Sequence, residues 1–174
     1  MVIMHQKDNT QKPNSGFSLI EVIVVVLIIG IVSAITVSSI SYAYSTNAYR
    51  TAQRLSSLLD VTRTQSMGMV DGSIVLSIER DNEGEYFAVS KKRTNTPSGM
   101  IENELDRESL CNKSLTISYN NGAGFISLGN NSSIDITYNK ESGAFKSNIE
   151  KIKIEGSKTS TLILVKETGR NYIK

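Results

Sequence analysis

The stretch Gly16-Phe17-Ser18-Leu19-Ile20-Glu21 opens an apolar run that continues to Ile40. The run from Phe17 to Ile40 has 24 residues and one charged side chain, that of Glu21. A helix of this length extends over roughly 36 Å, whereas the hydrocarbon core of a membrane is about 30 Å thick. The run therefore predicts a membrane-spanning helix. Its one carboxylate needs a partner, because an unpaired charge inside a membrane is costly.

No Lys or Arg lies within the run, so the counterion of Glu21 must come from elsewhere. A short polar leader with Lys7 and Lys12 ends in Gly16, and Phe17 and Glu21 follow. This arrangement resembles the class III signal of type IV pilins and pseudopilins. The resemblance implies that a prepilin peptidase cleaves between Gly16 and Phe17 and that the new N-terminus is methylated. The Phe17 amine of one subunit would then be the partner of Glu21 of its neighbour, and we hypothesise that this pair sets the axial register of assembly.

The same resemblance implies three parts of the chain and a path through the cell. Residues 1–16 form a leader that is removed, 17–42 form the transmembrane or filament-core half of a long helix, and 43–174 form a globular domain. The leader is expected in the cytoplasm, the helix across the cytoplasmic membrane, and the globular domain outside it. The final location is a cell-surface or periplasmic filament. The implied partners are the prepilin peptidase, other pilin or pseudopilin subunits, an inner-membrane assembly platform, and membrane lipid before assembly.

The composition excludes several classes of function. With 174 residues and a net charge of +2, the chain predicts one domain and no attraction to nucleic acid by bulk charge. The only histidine, His5, lies in the leader, and the only cysteine is Cys111. A mature chain without histidine cannot form a histidine-based triad, a Cys-His dyad or a His-ligated zinc site. We therefore predict no enzyme activity, no cofactor and no metal, and we interpret Cys111 as a small half-buried apolar residue.

The helix is predicted to continue well beyond the apolar run. No Pro or Gly occurs from Ile31 to Met67, and Gly68 and Asp71-Gly72 mark the end of the helix. One face of the second half repeats at spacings of three and four residues, which is typical of an amphipathic helix. The members of this face are Ala48, Ala52, Leu55, Leu59, Thr62, Ser66 and Met69. We expect a helix from Phe17 to about Met69 whose second half packs on a β-sheet.

From Gly72 onward the sequence pattern changes to strands. Residues 74–79 and 86–90 alternate around the turn Asp81-Asn82-Glu83-Gly84, which predicts a β-hairpin. The polar segment 91–112 is interpreted as a long loop with one helical turn near Glu102–Arg107. Further strands are predicted at 115–119, 124–128, 133–138, 151–155, 161–166 and 171–173. One long helix followed by many short strands predicts an α+β fold with a pilin-like helix packed on antiparallel sheets.

The soluble half resembles a subgroup, the H-type minor pseudopilins of type II secretion and their minor-pilin relatives. The resemblance runs through residues 54–66 of the helix. It returns at Ile136-Thr137-Tyr138-Asn139 with Gly143, and at Glu167-Thr168-Gly169-Arg170. It implies a structural subunit, and a minor one, of a type IV pilus or a type II secretion-like pseudopilus. A major pilin is the other assignment within the family.

DNA binding and catalysis are the two alternatives to a structural function. Some H-like relatives are implicated in DNA uptake at the filament tip through a basic C-terminal motif that begins with Gly-Arg. The candidate DNA contacts here are Lys91, Lys92, Arg93, Arg170 and Lys174, although the second basic residue of the motif is absent. A run of three charges on a loop is more often a solvated surface. The carboxylates of the hairpin turn are likewise interpreted as solvated rather than as catalytic groups or calcium ligands.

Overall fold

The first element of the fold is a single long helix. The computed structural model describes the backbone from Ser18 to Lys174, and the side chains of that range except for residues 34–46. Within it the chain divides into two units, the first ending at Ser39 and the second running from Ile40 to Lys174. Helix α1 spans Leu19–Gly68. The predicted helix is confirmed over this range, whereas Phe17 lies outside the described residues.

Nine strands form two antiparallel sheets in the second unit. The first sheet has the order β3-β2-β1-β6 and the second has the order β5-β4-β7-β8-β9. The bounds are β1 Ser73–Arg80, β2 Tyr86–Thr96, β3 Gly99–Cys111, β4 Thr116–Asn120, β5 Phe125–Ser127, β6 Ser132–Thr137, β7 Lys151–Glu155, β8 Thr159–Val165 and β9 Arg170–Ile173. This confirms the α+β fold with a helix followed by antiparallel sheets.

The second half of α1 supplies one wall of the core. Ala48, Ala52, Leu55 and Leu59 are fully buried and belong to one apolar cluster with residues of both sheets. Thr62 and Ser66 continue the buried face, whereas Met69 is only partly buried. The small alanines allow close approach, and the leucines fill the space that the sheets leave. The three-four spacing predicted from the sequence is therefore the buried stripe of the helix.

The segment that follows Ser90 is where the sequence interpretation was wrong. Residues 91–112 do not form a loop with a helical turn near Glu102–Arg107, because β2 continues to Thr96 and β3 runs antiparallel to it. The alternation here lies in charge rather than in hydrophobicity, so a search for apolar periodicity missed it. The Arg93–Glu102 ion pair joins the two strands, and Pro97 lies in the turn between them.

Arg93 connects three strands of the first sheet. Its guanidinium pairs with Glu102 on β3 and with Asp135 on β6, and Asp135 also accepts a hydrogen bond from the Ser77 hydroxyl of β1 at 2.8 Å. Partial burial alone would lower the pKa of Arg93, but the hydrogen bonds and charges of Asp135 and Glu102 outweigh that effect and raise it. Arg93 is therefore a structural cation of the sheet.

The segments that carry the H-type resemblance converge beside the middle of the helix. Nε of Arg63 donates a hydrogen bond to the Gly143 carbonyl at 3.0 Å, and the Tyr138 hydroxyl donates to the Leu59 carbonyl at 2.9 Å. Gly169 has a φ of 64° and lies directly against the Gly143 carbonyl. The last strand is tied to the same helix by Asn171, whose amide nitrogen donates to the Asp60 carboxylate at 3.0 Å. We call this region the glycine corner.

Replacing Gly169 by alanine should damage the glycine corner. The new Cβ would overlap the Gly143 carbonyl, and the left-handed backbone at this position is unfavourable for any residue with a Cβ. We expect Gly169→Ala to lower the free energy of unfolding by about 3 kcal/mol. The control Gly129→Ala places its Cβ no closer than 3.7 Å to a neighbour and should change stability by less than about 0.5 kcal/mol. Urea unfolding of the full chain in detergent measures both, and equal stabilities would contradict the close packing.

Candidate functional site

The side chain of Glu21 caps the first turn of α1. The backbone N–H of Ser18 donates a hydrogen bond to Oε2 of Glu21 at 3.1 Å, and the N–H of Val22 donates to the Ser18 carbonyl at 3.2 Å. This is one half of a capping box, in which a glutamate in the first turn satisfies the amide of the N-cap residue. The carboxylate also lies at the positive end of the helix dipole. The sequence carried the Ser-x-x-Glu signal for this cap, but the interpretation of Glu21 as a charge without a nearby partner missed it.

The first half of α1 exposes apolar side chains on all sides. From Leu19 to Val32 every large apolar side chain is between 47% and 81% exposed. A helix that is apolar all round is unusual in water, because each such side chain gains about 1.5–3 kcal/mol when it is fully buried. The arrangement therefore requires lipid or the helices of other subunits as its environment. The exposed side chains of this half form an apolar surface that other apolar groups can cover.

Among the described residues, no helical stretch combines the length and hydropathy needed to span a membrane. The predicted transmembrane half, residues 17–42, also includes Phe17 and the residues from 34 onward, whose side chains lie outside the described ones. The predicted cleavage pair, Gly16 and Phe17, likewise lies outside the described residues.

Comparison with known proteins identifies this N-terminal segment. Residues 11–37 match the family described as the prokaryotic N-terminal methylation motif. This N-terminal signal supports the type IV pilin and pseudopilin family. No curated protein and no solved structure matches the chain. The pilin signal implies processing by a prepilin peptidase and assembly with other pilin subunits.

The candidate DNA contacts of this pilin-like chain fall into two groups. Lys91 and Arg93 lie on β2 rather than on a loop, and both are engaged in ion pairs: the Lys91 ammonium lies 2.6 Å from Glu79, and Arg93 pairs with two carboxylates. Lys92 is half-buried on the same strand. The structure therefore does not present these three cations as a free cluster, and their contact with DNA stays a prediction.

The C-terminal candidates are exposed and share one face of the last strand. Arg170, Tyr172 and Lys174 occupy alternate positions, and all three are exposed, whereas the intervening Asn171 and Ile173 are partly buried. The strand ladder extends to Lys174, whose N–H donates to the Thr161 carbonyl at 2.8 Å. The structure thus brings together two of the predicted cations with an aromatic ring that was not singled out as a contact.

The remaining chemical groups have structural roles in the part of the chain that the structure describes. Asp81 holds the hairpin turn, because its carboxylate accepts a hydrogen bond from the Glu85 N–H at 2.8 Å. No group of three or more potential metal ligands occurs within the described residues. Cys111 is a partly buried free thiol packed against the core. Burial raises the pKa of the Cys111 thiol to about 12, against smaller lowering effects of Thr51 and Arg80.

The raised pKa predicts that Cys111 is unreactive in the folded chain. Alkylation requires the thiolate, and a rise in pKa from 9.0 to about 12 lowers the thiolate fraction at pH 8 by about a thousandfold. We expect iodoacetamide to modify the folded full chain in detergent at least about a hundredfold more slowly than the urea-unfolded chain. The rate for the folded chain should keep rising between pH 9 and 12, whereas that of the unfolded chain levels off near pH 9. Equal rates at pH 8 would show that the thiol is not shielded.

Proposed function

We propose that the protein is a structural subunit, and a minor one, of a type IV pilus or a type II secretion-like pseudopilus. The observation that carries this proposal is the methylation motif at residues 11–37, which continues into a helix with exposed apolar side chains on every side. A signal of this kind without such a helix would lack a means of assembly. The helix supplies it, because each neighbour that packs against α1 buries apolar surface.

The proposed assembly chemistry centres on Glu21. In the free subunit the carboxylate caps its own helix through the Ser18 amide. Cleavage after Gly16 creates a positively charged amine on Phe17, which can approach Glu21 of an adjacent subunit. A buried ion pair is favourable only when both partners are present and well placed, so the pair selects one axial register. The contact joins different surfaces of the two subunits and does not close, which produces a filament rather than a ring.

The proposed location follows from the same helix. Before assembly, residues 17–42 cross the cytoplasmic membrane with the leader inside and the globular domain, residues 43–174, outside. Lipid then covers the apolar side chains that later face other subunits. The prepilin peptidase acts on the leader, and an inner-membrane platform extracts the subunit into the filament.

The glycine corner supports assignment to the H-type minor subunits rather than to major pilins. The helix segment, the Tyr138–Gly143 segment and the Gly169 turn carry that resemblance, and they lie far apart in sequence. They contact one another through Arg63, Gly143 and Gly169. A weak sequence resemblance that maps onto one packed region is stronger support than the same residues scattered over a surface.

Processing can be tested directly by mass spectrometry. The full chain is produced in cells with and without an active prepilin peptidase. With the peptidase, we expect a mature chain that begins at N-methylated Phe17, because residues 11–37 carry the recognition signal. Without it, residues 1–16 should remain attached. A chain that keeps these residues in competent cells would remove the basis of the proposal.

Assembly can be tested by removing the charge of Glu21. We expect Glu21→Gln to be processed normally but to enter filaments at least about tenfold less, because the Phe17 amine loses its partner. The matched control is Glu83→Gln, which makes the same change of charge at an exposed turn residue. The amount of each variant in sheared filaments is measured against its amount in the membrane. Equal incorporation of the two variants would show that no such pair controls assembly.

A further inference from the structure

The outer face of the second sheet carries a row of side chains that no motif predicted. The strand register aligns five residues across all five strands, in the order Phe125, Asn120, Lys151, Ile163 and Tyr172. Residues that are paired across antiparallel strands lie on the same face of the sheet. The opposite face holds the buried residues of the core. We call the five residues the outer row.

The outer row ends in an exposed aromatic ring on each side. Phe125 is 44% exposed and Tyr172 is 53% exposed. Four strand spacings of about 4.8 Å separate the two strands, so the backbone positions of Phe125 and Tyr172 are about 19 Å apart. Lys151 is exposed at the middle of the row. The two rings are the aromatic contacts that this row offers to a partner.

The charge of this face is strongly positive. Lys153, Arg170 and Lys174 lie on the same side of the sheet as Lys151. Among the described residues on this face, Glu155 is the only carboxylate side chain, and it pairs with Lys153 at 2.9 Å. The Lys153 ammonium also lies 4.6 Å from the centre of the Phe125 ring. A chain with a net charge of only +2 thus concentrates four cations on one sheet face, which favours an anionic partner.

A second row beside the first is rich in hydroxyl groups. The register aligns Ser127, Ser118, Lys153 and Thr161 on the same face, one pair further along each strand. Ser118 is buried, and its hydroxyl lies 3.1 Å from that of Ser127 and forms a hydrogen bond with it, so the hydroxyls that face solvent in this row are those of Ser127 and Thr161. Hydroxyl side chains both donate and accept hydrogen bonds. The face therefore offers flat rings, cations and hydroxyl groups side by side.

We propose that this face binds a linear anionic glycan, a chain of sugar rings that bears carboxylate or phosphate groups. The C–H faces of sugar rings pack against Phe125 and Tyr172, whose ring faces carry negative partial charge. Lys151, which is exposed at the middle of the row, neutralises the acidic groups between the two rings. The Ser127 and Thr161 hydroxyls and the Asn120 amide exchange hydrogen bonds with the sugar hydroxyls.

The spacing of the rings favours a glycan over single-stranded nucleic acid. Platforms for single strands place aromatic side chains under successive bases, which gain their affinity from stacking. In the outer row the three positions between the rings are Asn120, Lys151 and Ile163, which cannot stack bases in this way. A stiff sugar chain needs contacts only at intervals. The inference does not depend on whether the chain assembles into a filament.

Binding is tested with the full chain in neutral detergent. The probes are polygalacturonate as a carboxylated glycan, dextran as a neutral glycan, and oligo-dT as a single-stranded nucleic acid. We expect polygalacturonate to bind, dextran to bind at least about tenfold more weakly, and oligo-dT to bind more weakly than polygalacturonate. Binding of polygalacturonate should weaken as salt rises, because the lysine contacts are screened. Biolayer interferometry at low and moderate salt measures all three.

The variants locate the site on the outer row. Phe125→Ala and Tyr172→Ala should each weaken polygalacturonate binding by about three- to tenfold, as expected for loss of one aromatic contact. Lys151→Gln should weaken binding and reduce its dependence on salt. The controls are Tyr49→Ala, which removes a ring that is 49% exposed on α1, and Lys146→Gln, which removes an exposed lysine away from this face. Far-UV circular dichroism confirms that each variant is folded.

Three results would overturn the inference. Absence of polygalacturonate binding by the folded full chain at low salt would do so. Tighter binding of oligo-dT would assign the face to nucleic acid. Equal losses in the Tyr172→Ala and Tyr49→Ala variants would place the contact elsewhere. Processing and assembly assays are independent of these results, so failure here leaves the proposed function untouched.

Discussion

The structure depends on one helix that must satisfy two different environments. In its second half, a stripe of alanines and leucines is buried in the core that both sheets share. In its first half, the apolar side chains cover every side and remain exposed. Both halves belong to one helix, Leu19–Gly68, which contains no proline. The same helix must therefore suit both environments. Both sheets pack against the second half of the helix, whereas the apolar side chains from Leu19 to Val32 are not part of that core.

The two faces of the first sheet carry different kinds of side chain. Toward the helix it presents branched apolar residues that exclude water. On its other face, the first sheet carries alternating charges, and Glu79 accepts contacts from both Lys91 and Arg107. Exposed ion pairs contribute only about 0–1 kcal/mol each, so this network adds little to stability. Its main effect is on pairing: a slip of one residue between β2 and β3 would move Lys91 and Arg93 away from Glu104 and Glu102 and place both opposite uncharged residues.

The cap of Glu21 changes the physical interpretation of the N-terminal signal. A carboxylate at the start of an apolar helix is costly only if nothing satisfies it. The Ser18 amide and the helix dipole satisfy part of that need within the same chain. In the proposed pairing with the amine of a neighbour, Glu21 would therefore exchange one partner for another rather than gain its first. The difference in free energy between the two states is smaller for that reason.

The sequence by itself determined the long helix, its buried stripe, most of the strands and the N-terminal signal. These features depend on local patterns: the absence of proline, the three-four spacing from Ala48 to Ser66, and glycine or asparagine at turns. It did not predict β3, because Glu102 finds its partner, Arg93, only across the sheet and not along the chain. Tertiary structure alone decided that Gly143 meets Gly169 and that Phe125, Lys151 and Tyr172 share one row. Those contacts depend on the order and register of strands that are far apart in sequence, and no local pattern records that order.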